Sequence, residues 1–486
     1  MVASANQREG VEDESIEELE RLRNESEAEK KRNEARAKRE ELLSYMNRRH
    51  AFIANYGGKA MVTDMQPDNL DSRRQRITFV KLDAIKARYA NRSVPSPTGK
   101  DVEKPQELGA WWMKQPRRRE YAGVMFQPSE DAVLVIGGAA YLNLWLGWGV
   151  KAQPGDWSLM RAHIRDVIAD GDPKADKYIM RWCAWTVQNP DQPAEVALVL
   201  RGPKGTGKGT LTKALMRCFG MHGAQISDRE HLTGKHNAHL HDCVLLVADE
   251  AYWAGDRRAE GALKRMITEE TLWIEPKFVN SFAVRNMLHI IMTANEKWVV
   301  PASADERRFG VFDVSGRWMR NNEYFTALNA EINGGGVEAM LHDLLEMDLW
   351  GWHPREVYEN EALRAQQSAS LQGFASFYEN VLQEGVLPGT GVRGGVVRFA
   401  DLYARAKAAE PSLKWISEKG FAEELDDYGI HAAQRASDGM RRQFPPLREA
   451  RASFAARFRG GWRWRNDYKE WADEGGVISA ISRVGV

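Results

Sequence analysis

A chain of 486 residues, 43% hydrophobic and 28% charged, is globular and long enough for roughly two to four cores, which excludes a fibrous or wholly disordered protein. Its 68 lysines and arginines balance 68 aspartates and glutamates, so any contact with nucleic acid must come from local clusters. Three scattered cysteines, Cys183, Cys218 and Cys243, exclude a disulfide framework or zinc ribbon, and no secretory signal opens the chain; the expected location is the cytoplasm, the host's for a viral product.

Residues 1–45 form a charged arm, acidic first and basic later, with i, i+4 pairs such as Glu27 with Lys31 and Glu34 with Lys38. Ile16, Leu19 and Leu22 make too thin a seam for a sustained coiled coil, so a solvated helix or a disordered arm is expected. Residues 46–150 read as a small α/β module: a hairpin over 51–63 turning at 56–59, then a strand at 77–80 and a helix at 82–90. The uncharged run 133–150 contains Gly137, Gly138, Gly147, Gly149 and Asn143, which predict strands and turns and no membrane span. Trp111, Trp112, the arginines 117–119 and the aromatic run 141–148 suit either an aromatic core beside a basic turn or a surface that stacks single-stranded nucleic acid. Apolar spacing over 157–188 predicts a two-helix lead-in, spanning 151–195.

The stretch that follows organises the chain. An apolar strand at 198–201 runs into Gly202-Pro203-Lys204-Gly205-Thr206-Gly207-Lys208-Gly209-Thr210, and then a helix. Glycines let backbone N–H groups wrap a triphosphate, the helix N-terminus adds partial positive charge, and Lys208 reaches the outer phosphates. A second apolar strand ends in Asp249-Glu250, at the sheet edge where parallel strands present their ligands. Asp249 is the expected Mg²⁺ ligand and Glu250 the group that polarises the attacking water. A third strand ends at Asn295, an amide for the γ-phosphate or that water, and Arg307-Arg308 offer guanidiniums for charge developing on the phosphoryl group. An arginine acting from a neighbouring subunit would put the site at an interface.

The order of these elements resembles the superfamily 3 helicases, AAA+ ring motors of small viruses, satellite phages and plasmids, and is most similar to their phage and plasmid primase-helicase branch. That branch carries a Tyr-Asn-x-Trp-x-Gly stretch and a tryptophan helix before the phosphate loop, matched by Tyr141, Asn143, Trp145 and Gly147, one residue longer here, and by Trp182 to Trp185. The likeness covers residues 117–314. It implies an α/β fold with an AAA+ P-loop ATPase core (196–315), a helical lid (316–372) and a winged-helix-like C-terminal domain (373–486). It also implies ATP and Mg²⁺ as cofactors, DNA as partner, a ring-shaped homo-oligomer such as a hexamer, and a possible separate primase or polymerase. A segment from Lys264 to Lys277 resembles a channel hairpin, with Lys264 and Lys277 as DNA contacts.

Two features depart from that pattern. Gly209 stands where a Ser or Thr usually ligates Mg²⁺, and Thr210, one position on and about 100° round the helix, is the alternative ligand. The short N-terminal module shows no carboxylate set for nucleotidyl transfer, so no primase activity is expected. His231, His236, His239 and His241 lack metal-ligand spacing and are expected to be solvated or to pack in a loop. At the C-terminal end, arginines from Arg441 to Arg465 alternate with Phe444, Phe454, Phe458, Trp462 and Trp464, a local basic footprint for nucleic acid. Readings that share these motifs remain beside the helicase: an ATP-switched origin-binding initiator, or a packaging or defence ATPase.

Overall fold

The computed structural model describes residues 3–67, 75–97, 106–250, 257–277, 279–295, 300, 302, 306–388, 395–437, 439–458 and 462–472. The chain opens with the helix Ala3–Arg49. Its residues 21–34 are all solvated, held by the i, i+4 pairs Arg21–Glu25 (3.9 Å) and Arg23–Glu27 (3.7 Å) in place of the expected Glu27–Lys31. Ala35, Leu43 and Met46 turn inward, so only its last turns join a core. The side chains of Ile16 and Leu19 lie outside the described residues.

The N-terminal module is a four-stranded sheet in which His50–Tyr56 pairs antiparallel with Lys59–Pro67 and parallel with Glu120–Tyr121, while Gln75–Val80 flanks the hairpin. Trp111 and Trp112 are buried against Leu43, Met46 and Ile85, which makes them core and removes them as a stacking surface. Over 133–143 the glycines act as the composition predicts: Gly137 and Gly138 take φ of +58° and +81° and turn Val133–Ile136 into Ala139–Asn143. Among the described residues no helix is long and apolar enough to cross a membrane.

The central unit holds five parallel strands: β1 (Ala197–Arg201), β2 (Gly223–Ile226), β3 (Leu245–Asp249), β4 (His289–Ala294) and β5 (Phe309–Asp313), in spatial order β2-β3-β4-β1-β5. The four strands β1, β3, β4 and β5 divide their side chains between two cores, while the edge strand β2 buries only Ile226, in one of them. Leu198 and Leu200 face the layer built by the helices Pro173–Gln188, Lys208–Phe219 and Val337–Glu346, whereas Ala197 and Val199 face Leu263, Met266 and Ile267. Burial on both faces is why these strands read as unbroken apolar runs rather than alternating ones.

Between β3 and β4 the chain makes the helix Arg257–Thr268 and an antiparallel hairpin, Thr271–Ile274 with Phe282–Arg285. The loop of this hairpin meets the turn of the N-terminal module. Asn280 N–H donates to the Gly57 carbonyl at 3.0 Å, and a Cβ on Gly57 would lie 2.6 Å from the Asn280 carbonyl oxygen. Tyr56 stacks on Phe79 at 4.1 Å and meets Phe282 edge-on at 5.3 Å, with the buried His241 ring alongside.

The C-terminal unit runs helix Gly373–Glu384, strand Val396–Arg398, helices Phe399–Ala409 and Glu418–Asp427, strands His431–Ala436 and Gly439–Gln443, and helix Leu447–Ala455. Its last strand lies between the other two, all antiparallel. Phe374, Tyr378, Phe421 and Phe454 centre its core. Several arginines of the basic footprint are used internally. Arg451 is buried and donates to the carbonyls of Leu382, Asn466 and Tyr468, Arg442 pairs with Asp426 at 2.6 Å, and Arg457 lies 3.8 Å over the Tyr428 ring.

Candidate active site

The glycine-rich loop leaves β1 and enters the helix Lys208–Phe219 with Gly205 at φ +81° and Gly207 at φ +96°, a region that side chains strain to enter. Space is a second constraint at Gly207. A Cβ there would stand 2.4 Å from His163 Cε1 and 3.0 Å from Phe325 Cε1. His163, fully buried, donates from Nε2 to the Gly207 carbonyl at 3.2 Å, so its Nδ1 accepts from the Tyr324 hydroxyl at 2.8 Å. Burial pushes the imidazole below its ordinary pKa, against the pull of the Gly207 carbonyl, and it stays neutral. His163 ends the helix Ser158–His163 where the chain widens into a π-helical turn, Ile164–Ile168.

Lys208 folds over the loop. Its Nζ donates to the carbonyls of Gly202 (2.5 Å) and Pro203 (2.9 Å) and to Asn295 Oδ1 (3.1 Å). Desolvation lowers its pKa, and the neighbouring Asp249 and Glu250 carboxylates act in the opposite direction. Asp249, at the end of β3, accepts from the Thr293 hydroxyl on β4 and from Gln225 Nε2 on β2 at 3.0 Å. Glu250 takes φ +54°, a left-handed conformation that costs a non-glycine residue roughly 1–3 kcal/mol. Its N–H donates to the Thr293 carbonyl at 2.9 Å and its carboxylate accepts from Asn295 Nδ2, which fixes the side chain at the mouth of the sheet.

These residues border one cleft of about 720 Å³. Loop residues Lys204 to Thr210, with Asp249, Glu250 and Asn295, form its floor, and Arg320, Asn322, Phe325 and Asn329 form its far wall. Gly202 and Pro203 contribute through the carbonyls that hold Lys208. Asp249, Glu250 and Thr210 line the cleft and carry side-chain oxygens of the kind that would hold Mg²⁺. A Cβ on Gly209 would meet nothing within 4 Å, so there is room for a side chain at the position where Ser or Thr usually stands.

Arg307 and Arg308 do not line this cleft. They precede β5, at the opposite end of the parallel strands from the glycine loop. Their N–H groups donate to the buried Glu306 carboxylate at 3.0 and 2.8 Å. Lys264 joins the same group, with Nζ 2.8 Å from Glu260 and 3.8 Å from Glu306. Lys277 is solvated in the loop of the hairpin. The sequence reading missed His163, Glu306 and Arg320. Arg320 follows β5 in a loop with φ +65°, where no periodicity marks which side chain turns back to the cleft.

Residues 200–308 match a family model described as a family of unknown function, DUF5906. The DNA primase-polymerase of Nitratiruptor phage NrS-1 is 24% identical over 245 residues, 48% of this chain and 32% of that protein, so this chain spans about a third of that relative's length. The apo structure of the NrS-1 C-terminal region (305–718) superposes with a TM-score of 0.58 at 18% identity, over 81% of this chain and 95% of that one. Its A form gives 0.57 at 17%, over 83% and 98%. The chain therefore has the fold of the NrS-1 C-terminal region, a mixed α/β architecture around a parallel sheet.

Proposed function

We propose that this chain is an ATP-hydrolysing DNA helicase or translocase of the superfamily 3 type, acting as a ring-shaped homo-oligomer, a hexamer, in the replication of a phage or mobile element. One observation carries the reading: Lys208, Asp249, Glu250 and Asn295 converge on one cleft at the carboxyl edge of a parallel sheet ordered β2-β3-β4-β1-β5. In this reading the loop N–H groups and Lys208 hold the β- and γ-phosphates. Asp249 and Thr210 hold Mg²⁺, which when bound neutralises charge on the phosphate oxygens. Glu250 takes the proton from the attacking water, and Asn295 orients Glu250 and the γ-phosphate.

Arg307 and Arg308 stand away from their own cleft, a placement that suits delivery to the cleft of a neighbouring subunit. Lys277 is assigned to the DNA backbone. Lys264, tied to Glu260 and Glu306, serves DNA only by exchanging those carboxylates for phosphates. The C-terminal order of helix, strand, two helices and two strands supports a winged-helix-like unit. Its helix Glu418–Asp427 carries Glu418, Glu423, Glu424, Asp426 and Asp427, so contact with phosphate belongs to other faces. The work of a separate primase or polymerase would supply the replication context suggested by the NrS-1 relative.

Strand displacement and ATP hydrolysis on a forked DNA test the proposal. Lys208→Ala, Glu250→Gln and Arg307→Ala, with Arg308→Ala in parallel to choose between the two arginines, should remove displacement. Glu250→Gln should still bind ATP. Robust DNA-stimulated hydrolysis in Lys208→Ala, Glu250→Gln and Arg307→Ala alike would sink the assignment, and binding of the forked DNA without strand displacement by the parent chain would favour the initiator switch.

A further inference from the structure

The cleft reaches well past the phosphate loop. It follows the helix Lys208–Phe219 as far as Lys213 and Arg217. Nine positions separate Lys208 from Arg217, so at 1.5 Å per residue the cleft extends about 13 Å beyond the lysine. That is room for a sugar and a base. The wall opposite is the helix Asn322–Glu331, continued by the turn Ile332–Gly336, which kinks at Gly335 (φ +112°).

Phe325, Asn329 and Asn333 stand at i, i+4 and i+8 on that wall, and all three line the cleft. Phe325 marks the phosphate end, because its ring edge is what a Cβ on Gly207 would strike. Asn329 lies one helical turn further and Asn333 one turn beyond that. Arg217 Nη1 donates to Asn333 Oδ1 at 3.0 Å and to the Ile332 carbonyl at 3.1 Å, which commits the Asn333 oxygen and leaves its NH₂ as a donor. Asn329 is solvated and its amide makes no hydrogen bond among the described residues, so a donor and an acceptor stand side by side there.

We infer that Asn329 and Asn333 read the base of the bound nucleotide, and that the base is adenine; this inference rests on the triphosphatase reading above. Adenine shows an acceptor next to a donor on both of its hydrogen-bonding edges, N7 with N6 and N1 with N6, so one amide matches either edge in two bonds; guanine matches an amide only through O6 and N1–H, and its N7 edge shows two acceptors that call for paired donors such as arginine. Arg217, the guanidinium at that end of the cleft, is already turned to Ile332 and Asn333. Phe325 and Ile332 supply the apolar surface on which the sugar and base rest.

Steady-state hydrolysis of ATP, GTP, CTP and UTP, with equilibrium binding of fluorescent ATP and GTP and competition by inorganic tripolyphosphate, tests this. The parent chain should prefer ATP over GTP by about tenfold or more, in turnover and in binding, the discrimination one bidentate base contact supplies. Asn329→Leu should abolish most of that ratio by raising the KM and Kd for ATP. Asn333→Asp, which keeps an acceptor for Arg217 and removes the donors, should lower it too. Competition by tripolyphosphate, which touches only the phosphate end, should stay the same in both variants. Equal use and equal binding of ATP and GTP by the parent chain, or an unchanged ratio in both variants, overturns the inference. Failure of the parent chain to hydrolyse any triphosphate, with fluorescent ATP still bound tenfold more tightly than GTP, overturns the motor reading and leaves the base assignment standing.

Discussion

Gly207→Ala is the sharpest test of how the glycine-rich loop is held. The native φ of +96° admits an alanine only with strain, roughly 1–2 kcal/mol. The new Cβ would stand 2.4 Å from His163 Cε1, so the buried ring must move and give up its bonds to the Gly207 carbonyl and the Tyr324 hydroxyl. Leaving those polar groups unpaired adds roughly 1–3 kcal/mol. The sum is about 2–5 kcal/mol. His163→Ala removes the nearer obstacle and leaves Phe325 Cε1 at 3.0 Å, a ring edge that need shift only a few tenths of an ångström, so in that background Gly207→Ala should cost little beyond the strain of about 1–2 kcal/mol, and the two substitutions should couple by about 1–3 kcal/mol. Urea unfolding of the four chains measures this through shifts in midpoint at constant slope. Equal costs of Gly207→Ala in both backgrounds would refute the claim that His163 sets the space at the loop.

Three more outcomes are expected. His222, His241 and His289 are buried, and burial holds each near a pKa of about 4 against an ordinary 6.5. The unfolded chain binds protons there before the fold does, so stability is intact above pH 6.5 and falls as pH drops toward 4. At pH 5 each histidine costs roughly 2 kcal/mol, and a thermal midpoint unchanged between pH 7 and pH 5 would contradict this. Arg451→Ala should destabilise the C-terminal unit by about 2–4 kcal/mol, since it strips donors from buried carbonyls; Arg448→Ala, at a solvated site, should change stability by less than about 0.5 kcal/mol, and hydrogen exchange over 373–455 compares the two. Gly209→Ser points a hydroxyl into open space, so the Mg²⁺ concentration for half-maximal hydrolysis should fall severalfold, while Thr210→Ala should raise it. Identical Mg²⁺ curves would remove position 209 from the metal site and Thr210 with it.

What could be read in advance followed from local rules. The loop glycines, the carboxylates of Asp249 and Glu250 and the amide of Asn295 each sit directly after an apolar run, and a strand buried on both faces can only present its ligands at its end. His163 and Glu306 escaped because sequence does not show their long-range contacts: His163 meets a carbonyl 44 positions away, and Glu306, beside its bonds to the next two N–H groups, meets Lys264 on the helix Arg257–Thr268. Three of the C-terminal arginines, Arg442, Arg451 and Arg457, could not be told apart from their solvated neighbours for a different reason. An arginine beside an aromatic residue looks the same in sequence whether it faces a phosphate or, like Arg451 beside Trp464, the chain's own carbonyls. The helix Asn322–Glu331 and the glycine break after it were visible, yet which of its faces carries Phe325 and Asn329 to the cleft depends on its docking against the helix Ser158–His163, a long-range contact that apolar spacing does not encode.

The Gly57 turn bears on the mechanics of the hairpin between β3 and β4. A protruding loop anchored only at its base is compliant, and a load at its tip is dissipated as bending. Here Asn280 is pinned to the Gly57 carbonyl and Phe282 abuts Tyr56, so the hairpin has a second support some 220 residues earlier in the chain. A force on the solvated Lys277 is therefore shared with the N-terminal sheet, and the hairpin behaves as a braced beam whose stiffness is set partly by a module none of whose described residues lines the cleft.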